Sequence, residues 1–171
     1  MKNRQHAFSL VEVVLALGVI SFAIVAILGL VPIGLQTSHS SQDETRAAQI
    51  AQTIFASMAA QAPQNFQTIA LPTTSPSPAP VLDLSSSTTS ASLPAGILYA
   101  NNDGKIISGV VGASPQVPSG ATYVATIITN SAPSGLDPSY VNQVTVSVAW
   151  PAIAAPTNQT KREYVRLISK Y

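Results

Sequence analysis

Residues 8–35 read FSLVEVVLALGVISFAIVAILGLVPIGL, an apolar run that contains a single charged side chain, Glu12. Residues 13–35 carry no charge at all, and a helix of about 20 apolar residues is long enough to cross a bilayer. An ionised carboxylate in such a segment costs about 2.5–3.5 kcal/mol at the helix centre on insertion scales. The presence of Glu12 therefore requires a specific explanation.

The composition of the 171-residue chain predicts a membrane anchor joined to one small polar domain. Charged residues make up 9 % of the chain, against about 25 % in ordinary soluble domains. The net charge is +1 and basic residues form no cluster, so no nucleic acid is expected as a partner. The absence of cysteine excludes disulfides, thiolate metal sites and cysteine nucleophiles.

Three interpretations compete for the N-terminal segment. Lys2 and Arg4 suit a secretory signal peptide, but its apolar core would be only about 7–15 residues long. A plain transmembrane helix fits the length, and the positive-inside rule then keeps the N-terminus in the cytoplasm. Neither interpretation accounts for Glu12.

The third interpretation rests on residues 6–18, HAFSLVEVVLALG, which resemble the cleavage and methylation motif of type IV prepilins and type II secretion pseudopilins. The resemblance implies a leader peptide at residues 1–7, which a prepilin peptidase/N-methyltransferase removes between Ala7 and Phe8. It also implies that Phe8 is then N-methylated. The family usually has glycine where this chain has Ala7. The start of the chain also resembles the Verru_Chthon cassette protein B family.

Within this resemblance Glu12 becomes an assembly residue, the fifth of the mature chain. Cleavage creates an α-amine at Phe8 that is positively charged near neutral pH. A neighbouring subunit that brings its amine beside Glu12 in the apolar filament core neutralises both charges, so one axial register is favoured. Pro32 and Gly34 are the predicted site of a helix kink, because proline removes one backbone hydrogen bond.

The polar segment that follows continues the helix. We expect residues 8–35 to form the transmembrane helix and filament core, and residues 36–62 to form an amphipathic spine helix that Pro63 ends. An apolar stripe recurs at helical spacing and consists of Ala47, Ile50, Ile54 and Met58. The residues assigned to the solvated face are Asp43, Glu44, Arg46, Gln49 and Gln52.

The C-terminal half predicts an antiparallel sheet, which makes the fold class α+β and pilin-like. Residues 63–95 are a Pro/Ser/Thr-rich loop, expected to be irregular over residues 72–94. Residues 96–171 form the sheet domain, which begins with a hairpin around Asn101-Asn102-Asp103-Gly104. The runs ATYVATIIT, VTVSVAW and EYVRLIS continue it, and we expect four strands whose apolar face covers the helix stripe.

No catalytic, cofactor or metal site is expected. His6 lies in the leader and His39 stands in a Ser-rich polar stretch, which is not a metal-binding pattern. Oxygens of Asn101, Asn102 and Asp103 suit Ca²⁺, but a tight turn alone explains this sequence, and the full spacing of a calcium loop is absent. The sequence contains no G-x-S-x-G elbow and no phosphate-binding glycine loop.

The sequence therefore predicts a structural subunit and not an enzyme: a minor pilin or pseudopilin of a type II secretion pseudopilus or a type IV pilus. Its partners would be the peptidase, other pilin or pseudopilin subunits, an inner-membrane assembly platform and the lipid bilayer. The subunit would cross the bacterial inner membrane once, with the N-terminus cytoplasmic and the C-terminal domain periplasmic, before joining the filament. The alternatives are an uncleaved membrane-anchored adhesin or binding protein, and a DNA-uptake pilin with a basic tip.

Overall fold

The computed structural model describes residues 9–63, 68–73, 81–83, 96–110, 116–130, 133–137 and 139–170. The chain forms two units, an N-terminal unit at Met1–Gln42 and a globular unit at Asp43–Tyr171. The elements in chain order are α1 (Leu10–Gln61), β1 (Thr68–Ala70), β2 (Val81–Asp83), β3 (Gly96–Ala100), β4 (Ile106–Val110), β5 (Tyr123–Asn130), β6 (Val141–Trp150), a 3₁₀ turn (Pro156–Asn158) and β7 (Thr160–Ser169).

Helix α1 contains 52 residues, runs through both predicted helical segments and ends two positions before Pro63. Its globular part buries the predicted stripe, since Ala47, Ile50, Ile54 and Met58 are almost completely inaccessible to solvent. Residues at spacings of three and four lie on one side of a helix. The stripe therefore packs as a continuous apolar face.

The main sheet has five antiparallel strands in the order β4-β3-β5-β6-β7, which confirms the α+β, pilin-like layout. The predicted count of four strands is wrong by one. Both arms of the 96–110 hairpin form strands, β3 and β4, and each of the three later runs adds another.

Strand β6 shows why this sheet faces the helix. Val144, Val146, Val148 and Trp150 alternate along it and join one hydrophobic cluster with the helix stripe. Alternate side chains of a strand point to the same face, so the whole set is buried together. Ser147 and Ala149 are also buried, although they belong to the opposite face. Strands β5 and β7 flank β6 on both sides and restrict solvent access to these two small residues.

A small two-stranded ribbon interrupts the segment that the sequence predicts as irregular. Strand β1 pairs antiparallel with β2, so residues 81–83 are extended and paired. The last residue of the helix holds this ribbon: Gln61 Nε2 donates to the Ala70 carbonyl, and the Ala70 N–H donates to Gln61 Oε1, both at 3.0 Å. The side-chain amide thus substitutes for a neighbouring strand.

The predicted hairpin at Asn101–Asn102–Asp103–Gly104 is confirmed. Asn101 Oδ1 accepts hydrogen bonds from the backbone N–H groups of Asp103 and Lys105, at 3.0 and 2.9 Å. Gly104 has a φ of 77°, a conformation that costs glycine little because it has no Cβ.

Candidate functional site

The carboxylate of Glu12 lies in the first turn of α1. The carbonyl of Ser9 accepts hydrogen bonds from the N–H groups of Glu12 and Val13, at 3.0 and 3.2 Å, so the helix starts directly after Ser9. The positive end of the helix dipole favours an acidic side chain at this position. Ala7 and Phe8, the predicted cleavage and methylation residues, lie outside the described residues.

Ser9 is a residue of this region that the motif alone does not single out. Ser9 and Glu12 have the S-x-x-E spacing of a capping box, in which the two side chains can satisfy backbone N–H groups at a helix start. This spacing is readable in the sequence. Glu12 thus occupies the third helical position after Ser9, where a capping box places its acidic side chain.

The surface around and beyond Glu12 is apolar and exposed. A shallow groove lined by Glu12, Val13, Ala16, Leu17 and Ile20 runs along one side of the helix. The large apolar side chains from Val13 to Leu35 are 47–79 % exposed, and an apolar surface of this extent marks contact with lipid or with another protein. Among the described residues, α1 is the one helix that is long and apolar enough to cross a membrane.

Two hydroxyl groups, one inside this apolar segment and one just after it, are satisfied locally. The Ser21 hydroxyl donates to the Leu17 carbonyl at 2.7 Å, and the Thr37 hydroxyl donates to the Ile33 carbonyl at 2.9 Å. A helix in lipid must satisfy its polar groups internally, and these two hydroxyls do so. The segment is therefore compatible with a hydrocarbon environment.

Pro32 and Gly34 both lie within α1, which continues through them without interruption. Because proline has no N–H, Pro32 cannot donate the hydrogen bond that the carbonyl of Leu28 would otherwise accept. A Cβ added at Gly34 would meet no atom within 4 Å. The kink at these two residues stays a prediction.

Three polar residues at the start of the globular unit connect the helix to the sheet. Tyr123 donates a hydrogen bond from its hydroxyl to Asp43 Oδ1 at 2.6 Å, and Glu44 forms an ion pair with Arg162. Arg46 Nη1 donates to Asn102 Oδ1 at 3.0 Å. We name these three pairs, Asp43–Tyr123, Glu44–Arg162 and Arg46–Asn102, the polar clamp.

The polar clamp corrects one sequence prediction. Asp43, Glu44 and Arg46 were assigned to a solvated face, but they are half-buried and bound to the sheet. Gln49 and Gln52 are exposed, as predicted. Burial raises the pKa of the Tyr123 hydroxyl above its ordinary value, and the hydrogen bond to Asp43 raises this pKa further.

The hairpin turn considered for calcium uses its amide oxygens internally. Asn101 Oδ1 accepts two backbone hydrogen bonds, and Asn102 Oδ1 accepts one from Arg46. The Asp103 carboxylate is then the one charged group that the turn can offer. Ca²⁺ takes six to eight oxygen ligands, so this turn supplies only a small part of a calcium site. Among the described residues, no group of three or more His, Asp or Glu side chains is arranged to hold a metal ion.

Comparison with known proteins identifies the N-terminal segment. Residues 2–30 match the family described as the prokaryotic N-terminal methylation motif, which confirms the resemblance read from the sequence and is consistent with a type IV prepilin-like or pseudopilin-like protein. No curated protein and no solved structure gives a significant match.

Proposed function

We propose that this chain, which carries the methylation motif at residues 2–30, is a structural subunit of a type IV pilin-like filament and not an enzyme. The single observation that supports it most is this motif on a long, exposed apolar helix that leads into an α+β unit. The helix would anchor the precursor in the membrane and later form the filament core. The globular unit would remain in the aqueous phase.

Processing would change the charge of the N-terminus. Hydrolysis of the Ala7–Phe8 peptide bond would release residues 1–7, which include the basic Lys2 and Arg4. The neutral α-amine of Phe8 would then take a methyl group from a sulfonium donor bound by the methyltransferase. The S–CH₃ bond of the donor breaks, the donor leaves as a thioether, and the amine loses one proton. The product is a secondary amine that stays protonated near neutral pH and supplies the positive partner for Glu12.

Glu12 would set the register of assembly. Among the described residues it forms no ion pair within its own chain, and its groove consists of apolar side chains. A carboxylate in that environment is stabilised by a neighbouring cation and strongly disfavoured without one. The Phe8 amine of an adjacent subunit would provide that cation at one axial position.

The membrane in question is the bacterial inner membrane. Lys2 and Arg4 would hold the N-terminus of the precursor in the cytoplasm by the positive-inside rule, which leaves the globular unit in the periplasm. Partners there are the prepilin peptidase, other pilin or pseudopilin subunits and the assembly platform. The small cysteine-free domain favours a minor pseudopilin of a type II secretion system over a type IV pilus subunit.

Mass spectrometry of the N-terminal peptide from native membranes tests the processing step. The expected peptide begins with N-methylated Phe8. An intact Met1 leader, in cells whose peptidase processes other prepilins, would contradict the proposal and favour the uncleaved anchor.

The variant Glu12→Ala tests the assembly step. We expect normal insertion and cleavage but poor incorporation into filaments, with Glu163→Ala, which removes an exposed carboxylate from the globular unit, as the matched control. Normal incorporation of Glu12→Ala would refute the register role.

Deletion of the gene, followed by comparison of secreted proteins and surface pili, distinguishes a pseudopilus from a pilus.

A further inference from the structure

The two edges of the five-stranded sheet differ in their exposure. None of the five residues of β4 is exposed, and Thr73 lies beside this strand, since a Cβ added at Gly109 would be 3.1 Å from Thr73 Cγ2. In β7, by contrast, eight of the ten residues are exposed. An edge strand presents a row of backbone N–H and C=O groups that no neighbouring strand satisfies. The open edge of this sheet is therefore β7.

The alternation of the β6–β7 ladder shows which backbone groups face that edge. The Lys170 N–H donates to the Tyr140 carbonyl at 2.9 Å, and the register continues from this pair along both strands without a shift. Hydrogen-bonded and non-hydrogen-bonded pairs alternate along an antiparallel ladder. The N–H and C=O groups of Glu163, Val165 and Leu167 therefore point away from β6, towards the open edge.

The side chains along the open edge form two different faces. Val165 and Leu167 lie on the face of the sheet that points away from the helix, and they are 59 % and 48 % exposed. Arg162 and Arg166 alternate with them on the opposite face. A strand placed beside β7 would therefore meet apolar side chains on one face and basic side chains on the other.

The ion pairs of β7 leave one cation uncompensated. Lys161 pairs with Glu163 at 2.8 Å, and Arg162 pairs with Glu44. Arg166 is exposed and forms no ion pair with any side chain that the structure describes. Opposite charges that face each other across two strands stabilise the pairing, and like charges destabilise it. A carboxylate on an added strand would thus complement this edge, whereas a second β7 strand would add to its positive charge.

We propose that the open edge of β7 binds an extended segment of a partner protein, in which apolar and acidic side chains alternate, by strand addition. The added strand forms main-chain hydrogen bonds with Glu163, Val165 and Leu167, and these bonds supply the affinity in this mode of recognition. Its apolar side chains cover Val165 and Leu167, and a carboxylate on its other face pairs with Arg166. The inference concerns the globular unit alone and goes beyond the proposed function, because it requires neither cleavage nor a membrane.

Peptide binding to the full chain in detergent micelles tests this inference, with fluorescence anisotropy of a dye-labelled peptide as the measurement. The probe is acetyl-TVDVEVT-amide, whose valines share one face of a strand and whose acidic residues share the other. Acetyl-TVKVKVT-amide is the matched control of opposite charge. A third peptide has the probe sequence with N-methylated valines, which keeps its side chains and removes the N–H groups that would face β7.

We expect the acidic peptide to bind severalfold more tightly than the basic one and the N-methylated peptide to lose binding. High salt should weaken the acidic peptide, because exposed charges are screened. Amide hydrogen exchange gives an independent measurement. The acidic peptide should slow exchange at Glu163, Val165 and Leu167, and leave it unchanged at Tyr164 and Arg166, whose N–H groups already face β6.

Two substitutions separate the contributions of charge and backbone. Arg166→Gln should reduce the affinity for the acidic peptide severalfold and remove the preference over the basic one. Val165→Pro removes an N–H group that faces away from β6, so the sheet is retained, but binding should be lost. Val165→Thr keeps that N–H group and the β-branched shape, and is the matched control. Circular dichroism establishes that each variant is folded, and Arg166→Gln with the exchange pattern decides the matter if Val165→Pro is not.

Three results of the peptide titrations would overturn the inference: equal affinity for the acidic and basic peptides, undiminished binding of the N-methylated peptide, or no binding at about 1 mM peptide. A fourth concerns the protein alone. If exchange at Glu163, Val165 and Leu167 slows with rising protein concentration and no peptide, a second copy of the chain occupies the edge, and the peptide partner is refuted.

Discussion

Tyr123 donates a 2.6 Å hydrogen bond to Asp43, across 80 residues of sequence, and so joins the first residue of β5 to the helix residue at which the globular unit begins. Tyr123 is completely buried, and its ring packs against Trp150 in the core. The Asp43–Tyr123 pair therefore anchors the polar clamp in the hydrophobic core, whereas the side chains of the Glu44–Arg162 pair are about half exposed.

Replacement of this tyrosine measures the strength of that anchor. We expect Tyr123→Phe to lower the free energy of unfolding by about 1–3 kcal/mol, because a hydrogen bond to a charged acceptor is lost. Denaturant unfolding of the full chain in detergent provides the measurement. Tyr164→Phe is the control, since the Tyr164 hydroxyl has no hydrogen-bond partner among the described residues. An equal loss of unfolding free energy in both variants would show that the Tyr123–Asp43 hydrogen bond does not stabilise the fold.

Alkaline pH should weaken the fold through the same group. Burial raises the pKa of Tyr123, and also raises the pKa values of Tyr99 and Tyr164. Since the folded pKa lies above the unfolded value of about 10, the stabilising effect is complete below about pH 10 and is lost as the pH rises through the raised pKa. The free energy of unfolding should decrease above pH 10 with a smaller slope in Tyr123→Phe, and identical slopes would refute the contribution of Tyr123.

The amide of Gln61 should protect the β1–β2 ribbon. Gln61→Ala removes both hydrogen bonds to Ala70, so we expect a loss of about 1–2 kcal/mol and faster hydrogen exchange at the Ala70 amide. Gln61→Glu keeps an oxygen acceptor for that amide and should retain its protection. Equally fast exchange in the two variants would show that the side chain does not hold the ribbon.

Close packing at Gly109 gives a steric test of the sheet. A Cβ at this position would lie 2.6 Å from Leu98 Cδ2 and 3.1 Å from Thr73 Cγ2. Because Leu98 is buried, we expect Gly109→Ala to destabilise the globular unit by about 1–3 kcal/mol through overpacking. Gly29→Ala is the control, as its added Cβ meets no atom within 4 Å. An unchanged thermal unfolding temperature of Gly109→Ala would show that the Leu98 side chain moves aside without destabilising the unit.

Local periodicity made most of the fold predictable. The spacing of Ile50, Ile54 and Met58 identifies the buried helix face, and the alternation of Val144, Val146 and Val148 identifies the buried strand face. Both patterns depend on backbone geometry within one element. The sequence is therefore sufficient to assign them without knowledge of tertiary partners.

Long-range polar contacts were not predictable in this way. Asp43, Glu44 and Arg46 have the composition of a solvated helix face, yet their partners lie 80, 118 and 56 residues away. No local pattern encodes which strand passes beside a given helical turn. The hydrogen bonds that Gln159 Nε2 shares among the carbonyls of Pro151, Ala152 and Ala154, in the connection between β6 and β7, are likewise a product of the folded conformation.

At the candidate site, the sequence alone singles out Glu12, because it is the one charged residue in an apolar run. The match to the methylation motif at residues 2–30 covers the same segment. The neighbouring Ser9 requires knowledge of where the helix starts, which the backbone hydrogen bonds of residues 9–13 supply. The cleavage and methylation of Ala7 and Phe8 stay predictions, because they are chemical events that follow synthesis.

If the chain is the filament subunit that we propose, the polar clamp has a mechanical consequence. Its three pairs join a single turn of the helix to β5, to the β3–β4 turn and to β7. A force applied along the helix, as during extension or retraction of a filament, would be divided among these three bonds at once. Bonds loaded together resist far more force than bonds that break one after another, so the clamp would let the globular unit move with its helix under tension.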